Sequence, residues 1–162
     1  HAYPGMGSYL AHRHSAEVLR LRLGANIDLQ LADYKQSFYI NGVEVSLHPA
    51  GHVPGSAQVK VSHKGETWVV SGDYKTEADG LSAPFEPVRC HTFISECTFG
   101  IPVFDWKPTH TLMNEICTWW QRNAEAGKTS VLFAYSLGKA QRLQVGWVIR
   151  SALMQGNDVV NL

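Results

Sequence analysis

Three residues able to do metal or acid–base chemistry each stand just beyond a strand-like run. His52 lies in HPAGHVPGSAQV, Asp73 in VVSGDYKTE and Glu96 in FISECTFG. An imidazole nitrogen and a carboxylate on adjacent strand-end loops suit a hard or borderline divalent metal ion. Glycines 51, 55 and 72 beside them allow backbone conformations and close approaches that side chains would block. On spacing alone the plain alternative stays open: a loop histidine is a polar loop residue, and Gly-Asp after a strand is a turn.

The elements around these residues decide whether they can meet. SFYINGVEVSL reads as a hairpin through Asn41-Gly42, the strongest short hairpin signal. AQVKVSHKGETWVVSGD reads as a second hairpin, turning at Lys64-Gly65. It leaves along residues 57–63 and returns along 66–71, so its two ends reach one sheet edge. His52 enters this hairpin and Asp73 leaves it. The proline-rich connection LSAPFEPV leads to another strand, HTFISECTF, with Glu96 near its end.

Upstream, GSYLAHR is strand-like and SAEVLRLRLG helical, with Ser15 as N-cap, Val18, Leu19 and Leu23 on one face, and Gly24 as its stop. Downstream the pattern changes. Residues 109–126 read as an amphipathic helix ending at Gly127, SVLFAYS as a buried strand, and GKAQRLQVGWVIRSAL as a second helix. Strand, helix, strand, helix predicts a parallel α/β unit.

Composition narrows the function classes. The 162 residues suit one domain or pieces of two, and 44% apolar residues suit a globular core. Lys+Arg and Asp+Glu are equal at 14 each, so a nucleic acid would be held by local groups or metals, not by a global field. Three cysteines without a CxxC motif point to a reducing compartment, the cytoplasm. No apolar run approaches the roughly 18 residues of a membrane span, so no membrane partner is expected. The first residue is His1, not Met, which suggests a fragment or a processed piece.

HPAGHVPGSAQV, VVSGDYKTE and FISECTFG, in this order and spacing, resemble the metallo-β-lactamase superfamily. More narrowly they resemble its β-CASP branch of nucleic-acid-processing enzymes. That branch holds Artemis-like DNA nucleases, the endonuclease of mRNA 3′-end processing and the bacterial ligase-associated DNA exonucleases. The last group is the nearest in character, through PFEPVRCHTFISECTFG and VLFAYSLGKAQRL, and the likeness runs from residue 1 to about 145. It implies an α/β fold: a partial αββα sandwich over residues 1–98, then the start of a β-CASP α/β domain over 99–162, with 146–162 atypical. It implies two divalent metal ions, zinc or else manganese. His52 would ligate the first ion and Asp73 would bridge both. Glu96 would be an acidic residue close to the metals. His1 would be the last histidine of the HxHxDH motif and ligate the second ion. The rest of that motif and the later β-CASP motifs are absent from this chain. Pro54 stands where leucine is more usual, removing an N–H that a ladder bond would use.

The activity implied is metal-dependent phosphodiester hydrolysis: a DNA exonuclease acting with an ATP-dependent DNA ligase, this chain being inactive alone. Two other readings remain open, an RNA-processing nuclease or other hydrolase of the superfamily, and a non-catalytic scaffold. Ser136 and Lys139, at the start of the last helix, could hold a substrate phosphate through free N–H groups and a positive charge. The pattern is no Walker loop, and an ordinary strand–helix turn explains it equally well. His12 and His14 read as rim histidines on one strand face, His48 as a strand-end residue, Trp119-Trp120 as packing aromatics and Cys97 as a small buried residue.

Overall fold

The computed structural model describes residues 2–135 and 137–154, with side chains described through residue 146. His1, Ser136 and residues 155–162 lie outside the described residues. The architecture is mixed α/β. Two compact units divide the chain, His1–Thr98 and Phe99–Leu162.

The first unit carries all the described strands. β1 (Tyr9–His12) runs into a 3₁₀ turn (Arg13–Ser15) and helix α1 (Ala16–Leu23). β2 (Leu29–Ala32) then pairs in parallel with β1. The main sheet has the order β3-β4-β5-β6-β7, made of Phe38–Ile40, Val43–Pro49, Ala57–His63, Glu66–Val70 and Thr92–Ile94. Both hairpin turns behave as their residues require. Asn41 and Gly42 take φ of 51° and 81°, and Lys64 and Gly65 take 46° and 83°. Two consecutive positive φ values give the type I′ twist that matches right-handed strands.

Cross-strand neighbours share a face. Val45, Val61 and Trp68 therefore align, as do Leu47, Val59, Val70 and Ile94. Val45 and Leu47 are buried, whereas Trp68, Val70 and Ile94 keep 45%, 41% and 46% of their surface exposed. The opposite face buries Val69 together with polar Gln58 and Ser46. Gln58 is admitted there because its Nε2 donates to the Pro49 carbonyl at 2.9 Å and the Glu86 carbonyl at 2.7 Å. Beyond the last strands, Tyr74 packs between Phe85 and Phe93, with ring centroids 5.3 and 6.4 Å away.

The second unit is helical among its described residues. α2 (Thr109–Glu125) and α3 (Lys139–Met154) form a pair. Met113 packs so closely on Gly146 that a Cβ there would collide with its sulfur. Lys107 donates to both carboxylate oxygens of Glu115, at 2.8 and 2.9 Å, and the Arg142 guanidinium donates to Thr109 Oγ1 at 3.1 Å.

Two expectations about elements need correction. Ser15 occupies the position before α1, but its side chain makes no capping bond. The preceding 3₁₀ turn already holds its backbone at φ −90°, ψ −7°, in the helical region, where a capping side chain is poorly aimed. The run SVLFAYS forms no strand through Tyr135, and Val131, Phe133 and Tyr135 are exposed at 63%, 95% and 76%. A strand needs a backbone ladder beside it, and no other strand occurs among the described residues of this unit. The parallel α/β unit expected here is therefore a helix pair in the described residues.

His12 and His48 give the first unit a defined acid sensitivity. His12 is 4% exposed, and burial, helped by the charge of neighbouring His14, pushes its pKa below the ordinary 6.5. Burial likewise lowers His48, whose Nε2 lies 3.2 Å from Ser46 Oγ. A histidine whose folded pKa is depressed favours the neutral form. Its contribution is fully present above the unfolded pKa of about 6.5 and is lost as pH falls below it. Thermal melts between pH 8 and pH 5 should show the midpoint falling over the acid half of that range. His48→Gln, which keeps an amide for Ser46 but cannot titrate, should flatten the slope.

Glycine positions separate two kinds of constraint. Gly42 has φ +81° and open space around it, so Gly42→Ala should cost about 1 kcal/mol, from backbone strain alone. Gly51 has φ +74°, and an added Cβ would collide with the Lys75 carbonyl and crowd Phe85. Gly51→Ala should therefore cost several-fold more in urea unfolding, because backbone on both sides must move.

Candidate metal centre

His52, Asp73 and Glu96 come to one edge of the main sheet. β4 ends at Pro49 and β5 begins at Ala57, so residues 50–56 form the loop there. β6 runs antiparallel to β5 with Val70 opposite Val59, which returns its C-terminal end to the same edge. β7 runs parallel to β6 with Ile94 beside Val70, so Glu96 leaves at that edge too. The chain folds this way because the Lys64-Gly65 turn reverses it once and the crossover through residues 71–91 makes the last pairing parallel.

His52 Nε2 stands 4.0 Å from Asp73 Oδ2, and both side chains are close to half exposed. Their loops are joined directly, because the Lys75 N–H donates to the Ala50 carbonyl at 2.9 Å. Glu96 is anchored locally. The Thr98 backbone N–H donates to its Oε2 at 2.8 Å. That bond is the main reason its carboxyl lies below the usual range, with smaller contributions from the Thr98 hydroxyl, Tyr74 and the charge of His52. A carboxylate held so is an ionised acceptor at neutral pH.

An imidazole nitrogen and a carboxylate oxygen that face each other at this separation fit a divalent cation as part of its shell. They are two donors. No group of three or more His, Cys, Asp or Glu side chains placed to hold a metal ion occurs among the described residues. His1, the other expected ligand, lies outside the described residues.

The remaining candidates divide. Lys139 begins α3, and its ammonium lies 4.8 Å from the centre of the Tyr135 ring, a cation–π distance. Ser136 lies outside the described residues, and Lys139 belongs to the second unit. The histidine pair at 12 and 14 is not a rim pair on a strand face. His12 ends β1, is buried, and stacks on Tyr34 with centroids 3.7 Å apart and planes 12° apart. His14 sits in the 3₁₀ turn, and its N–H donates to His12 Nδ1 at 3.3 Å. The two rings still meet edge to face, with centroids 4.7 Å apart, but only His14 is exposed. Cys97 is exposed rather than buried, because it follows β7 in the loop that carries Glu96. Pro54 removes no ladder bond, since it lies in the 50–56 loop between strands.

Residues that the sequence reading passed over hold the loop in place. Ser56 Oγ accepts N–H bonds from His52 at 3.0 Å and Val53 at 3.2 Å. Tyr34 donates its hydroxyl to the Ser56 carbonyl at 2.9 Å. A serine four residues after a loop histidine was a readable turn signal for the first. Nothing near Tyr34 in the sequence signals the second.

No protein-family model matches the chain. Among curated proteins it is 31% identical over 159 residues to a probable DNA ligase of Opitutus terrae, covering 87% of this chain and 16% of that protein. It is 26% identical over 119 residues to the endoribonuclease YSH1 of Saccharomyces cerevisiae, covering 72% of this chain and 15% of that protein. The chain thus spans about one-sixth of the length of the curated relatives it matches. A solved structure of a Cronobacter sakazakii metallo-β-lactamase mutant aligns at 16% identity with a TM-score of 0.39, over 92% of this chain and 62% of that one. That likeness is slight, and the assignment rests on the sequence relatives and on the three motifs at the sheet edge. The relatives support the family that the three motifs resemble, the metallo-β-lactamase superfamily in its β-CASP branch.

Proposed function

We propose that the protein containing this chain is a metal-dependent phosphodiester hydrolase that degrades DNA ends in the cytoplasm, together with an ATP-dependent DNA ligase. The observation that carries the reading is the approach of His52 and Asp73 at one sheet edge, 4.0 Å apart, from loops that the chain joins by backbone bonding. The DNA and ligase parts are supported by the 31% identity to a protein named as a probable DNA ligase. RNA is the second reading, supported by several relatives named as endoribonucleases. Among the described residues no helix is long and apolar enough to cross a membrane.

Hydrolysis of a phosphodiester needs an activated water, neutralised charge on the phosphate and help for the leaving oxygen, and a pair of divalent ions, zinc in this reading, would supply all three. The chain's residues have separate tasks. His52 offers one imidazole nitrogen to one ion. Asp73 has two carboxylate oxygens and can serve both. Glu96, ionised and fixed by Thr98, can accept a proton or a hydrogen bond from a neighbouring ligand and so orient it. His1 would ligate the second ion in this reading. The half-exposure of His52 and Asp73 leaves room for a polymer to approach.

The test is digestion of end-labelled duplex DNA, single-stranded DNA and RNA by the full-length protein, with and without a chelator. Turnover should vanish with chelator and return with zinc. Asp73→Asn should lose at least about a hundredfold in rate, because an amide keeps the carboxylate's shape but not its charge. The exposed position predicts a stability change within about 0.5 kcal/mol. His52→Ala should be nearly as damaging. The 162-residue chain by itself should hydrolyse little or nothing. Hydrolysis indifferent to chelator and to Asp73→Asn would remove the metallonuclease reading and favour a scaffold.

A further inference from the structure

The loop that presents His52 is held by atoms outside the predicted site. Ser56 closes it on itself: its hydroxyl accepts the His52 and Val53 N–H groups, and its own N–H donates to the Val53 carbonyl at 2.9 Å. The Ser56 carbonyl accepts from the Ala50 N–H at 3.2 Å and from the Tyr34 hydroxyl at 2.9 Å. Tyr34 is fixed in turn. Its ring lies flat on the buried ring of His12, and its backbone bridges to Leu47 of β4. Beside it Gly55 packs against the Ser15 backbone and hydroxyl with no room for a Cβ. The loop is thus bonded within itself and clamped from the β1–β2 side at two points.

We propose that Ser56 and Tyr34 are positioning residues for metal binding, holding the His52 backbone so that its imidazole faces Asp73. The proposal rests on the reading of His52 as a metal ligand. The physical ground is direct. Ser56 Oγ bonds the amide of His52 itself, so losing the hydroxyl frees the ligand residue's own backbone. A donor atom must be held within about half an ångström of its productive place to bind well. The hydroxyl's two accepted bonds remove the loop freedom that an ion would otherwise have to quench on binding. Tyr34 acts one bond further away, through the Ser56 carbonyl, so its effect should be smaller.

The experiment uses the full-length protein and cobalt as the probe, since its visible absorption reports ligand geometry. In wild type, cobalt should give a spectrum that His52→Ala alters. Ser56→Ala should weaken cobalt binding by about 10- to 100-fold and change the spectrum. Ser56→Thr, which keeps the hydroxyl, should restore both, and Tyr34→Phe should shift them in the same direction by less. Without metal, hydrogen exchange at the His52 amide should speed up in Ser56→Ala and return towards wild type in Ser56→Thr. Cobalt binding by Ser56→Ala equal to wild type, or Ser56→Thr as impaired as Ser56→Ala, would overturn the role of Ser56. Wild-type protein whose cobalt spectrum is untouched by His52→Ala would instead overturn the metal reading, and the role of Ser56 with it. Faster His52 exchange in Ser56→Ala would then mark the loop contact alone.

Discussion

The register between β5 and β6 is the constraint on which the site depends. Val59 faces Val70 and Val61 faces Trp68, so the residues after β6 emerge beside the loop that precedes β5. A slip of one residue would turn every side chain of β6 to the other face and carry Asp73 away from His52. Two features prevent it. The Lys64-Gly65 turn has a fixed two-residue length. Val69 is fully buried on one face while Trp68 and Val70 line the other, and exchanging them would bury the wrong volumes.

Polar groups in the core then lock the sheet edge to the loops. Ser46, Gln58 and Ser71 are all buried. Burying an amide without partners would cost on the order of 1–3 kcal/mol, so such residues stay only where their bonds are placed. Gln58 spends its amide N–H groups on two carbonyls, one at the end of β4 and one at Glu86. A leucine of similar size would fill the space but leave those carbonyls without these donors. The core therefore trades apolar burial for fixed loop positions, as a site built on loops requires.

Much of this was readable from residue types, for local reasons. Asn41-Gly42 and Lys64-Gly65 named both hairpins because only positive φ at two neighbours fits such turns. The convergence of His52 and Asp73 followed from the second hairpin, since an antiparallel return has one possible edge. What stayed hidden depends on contacts distant in sequence. The stack of His12 on Tyr34 joins residues more than twenty apart, and no periodicity announces it. The apolar run at 130–136 has the composition of a strand, but composition cannot supply the neighbour that a ladder needs. Ser15 has the right type for a cap, yet the 3₁₀ turn before it had already set its backbone.

The segment from Thr76 to Phe85 leaves the site and returns to it at almost the same point. Its base is closed by two backbone bonds to consecutive residues, Lys75 N–H to the Ala50 carbonyl at 2.9 Å and Glu86 N–H to the Pro49 carbonyl at 3.2 Å. Within it, Asp79 makes its own turn by accepting from the Leu81 and Ser82 N–H groups. An excursion pinned at both feet is decoupled in length from what it adjoins. Doubling it would cost only about 0.6 kcal/mol in closure entropy, while Asp73 and His52 stayed where the pins hold them. Residues could be added to this excursion without displacing His52 and Asp73 at its foot.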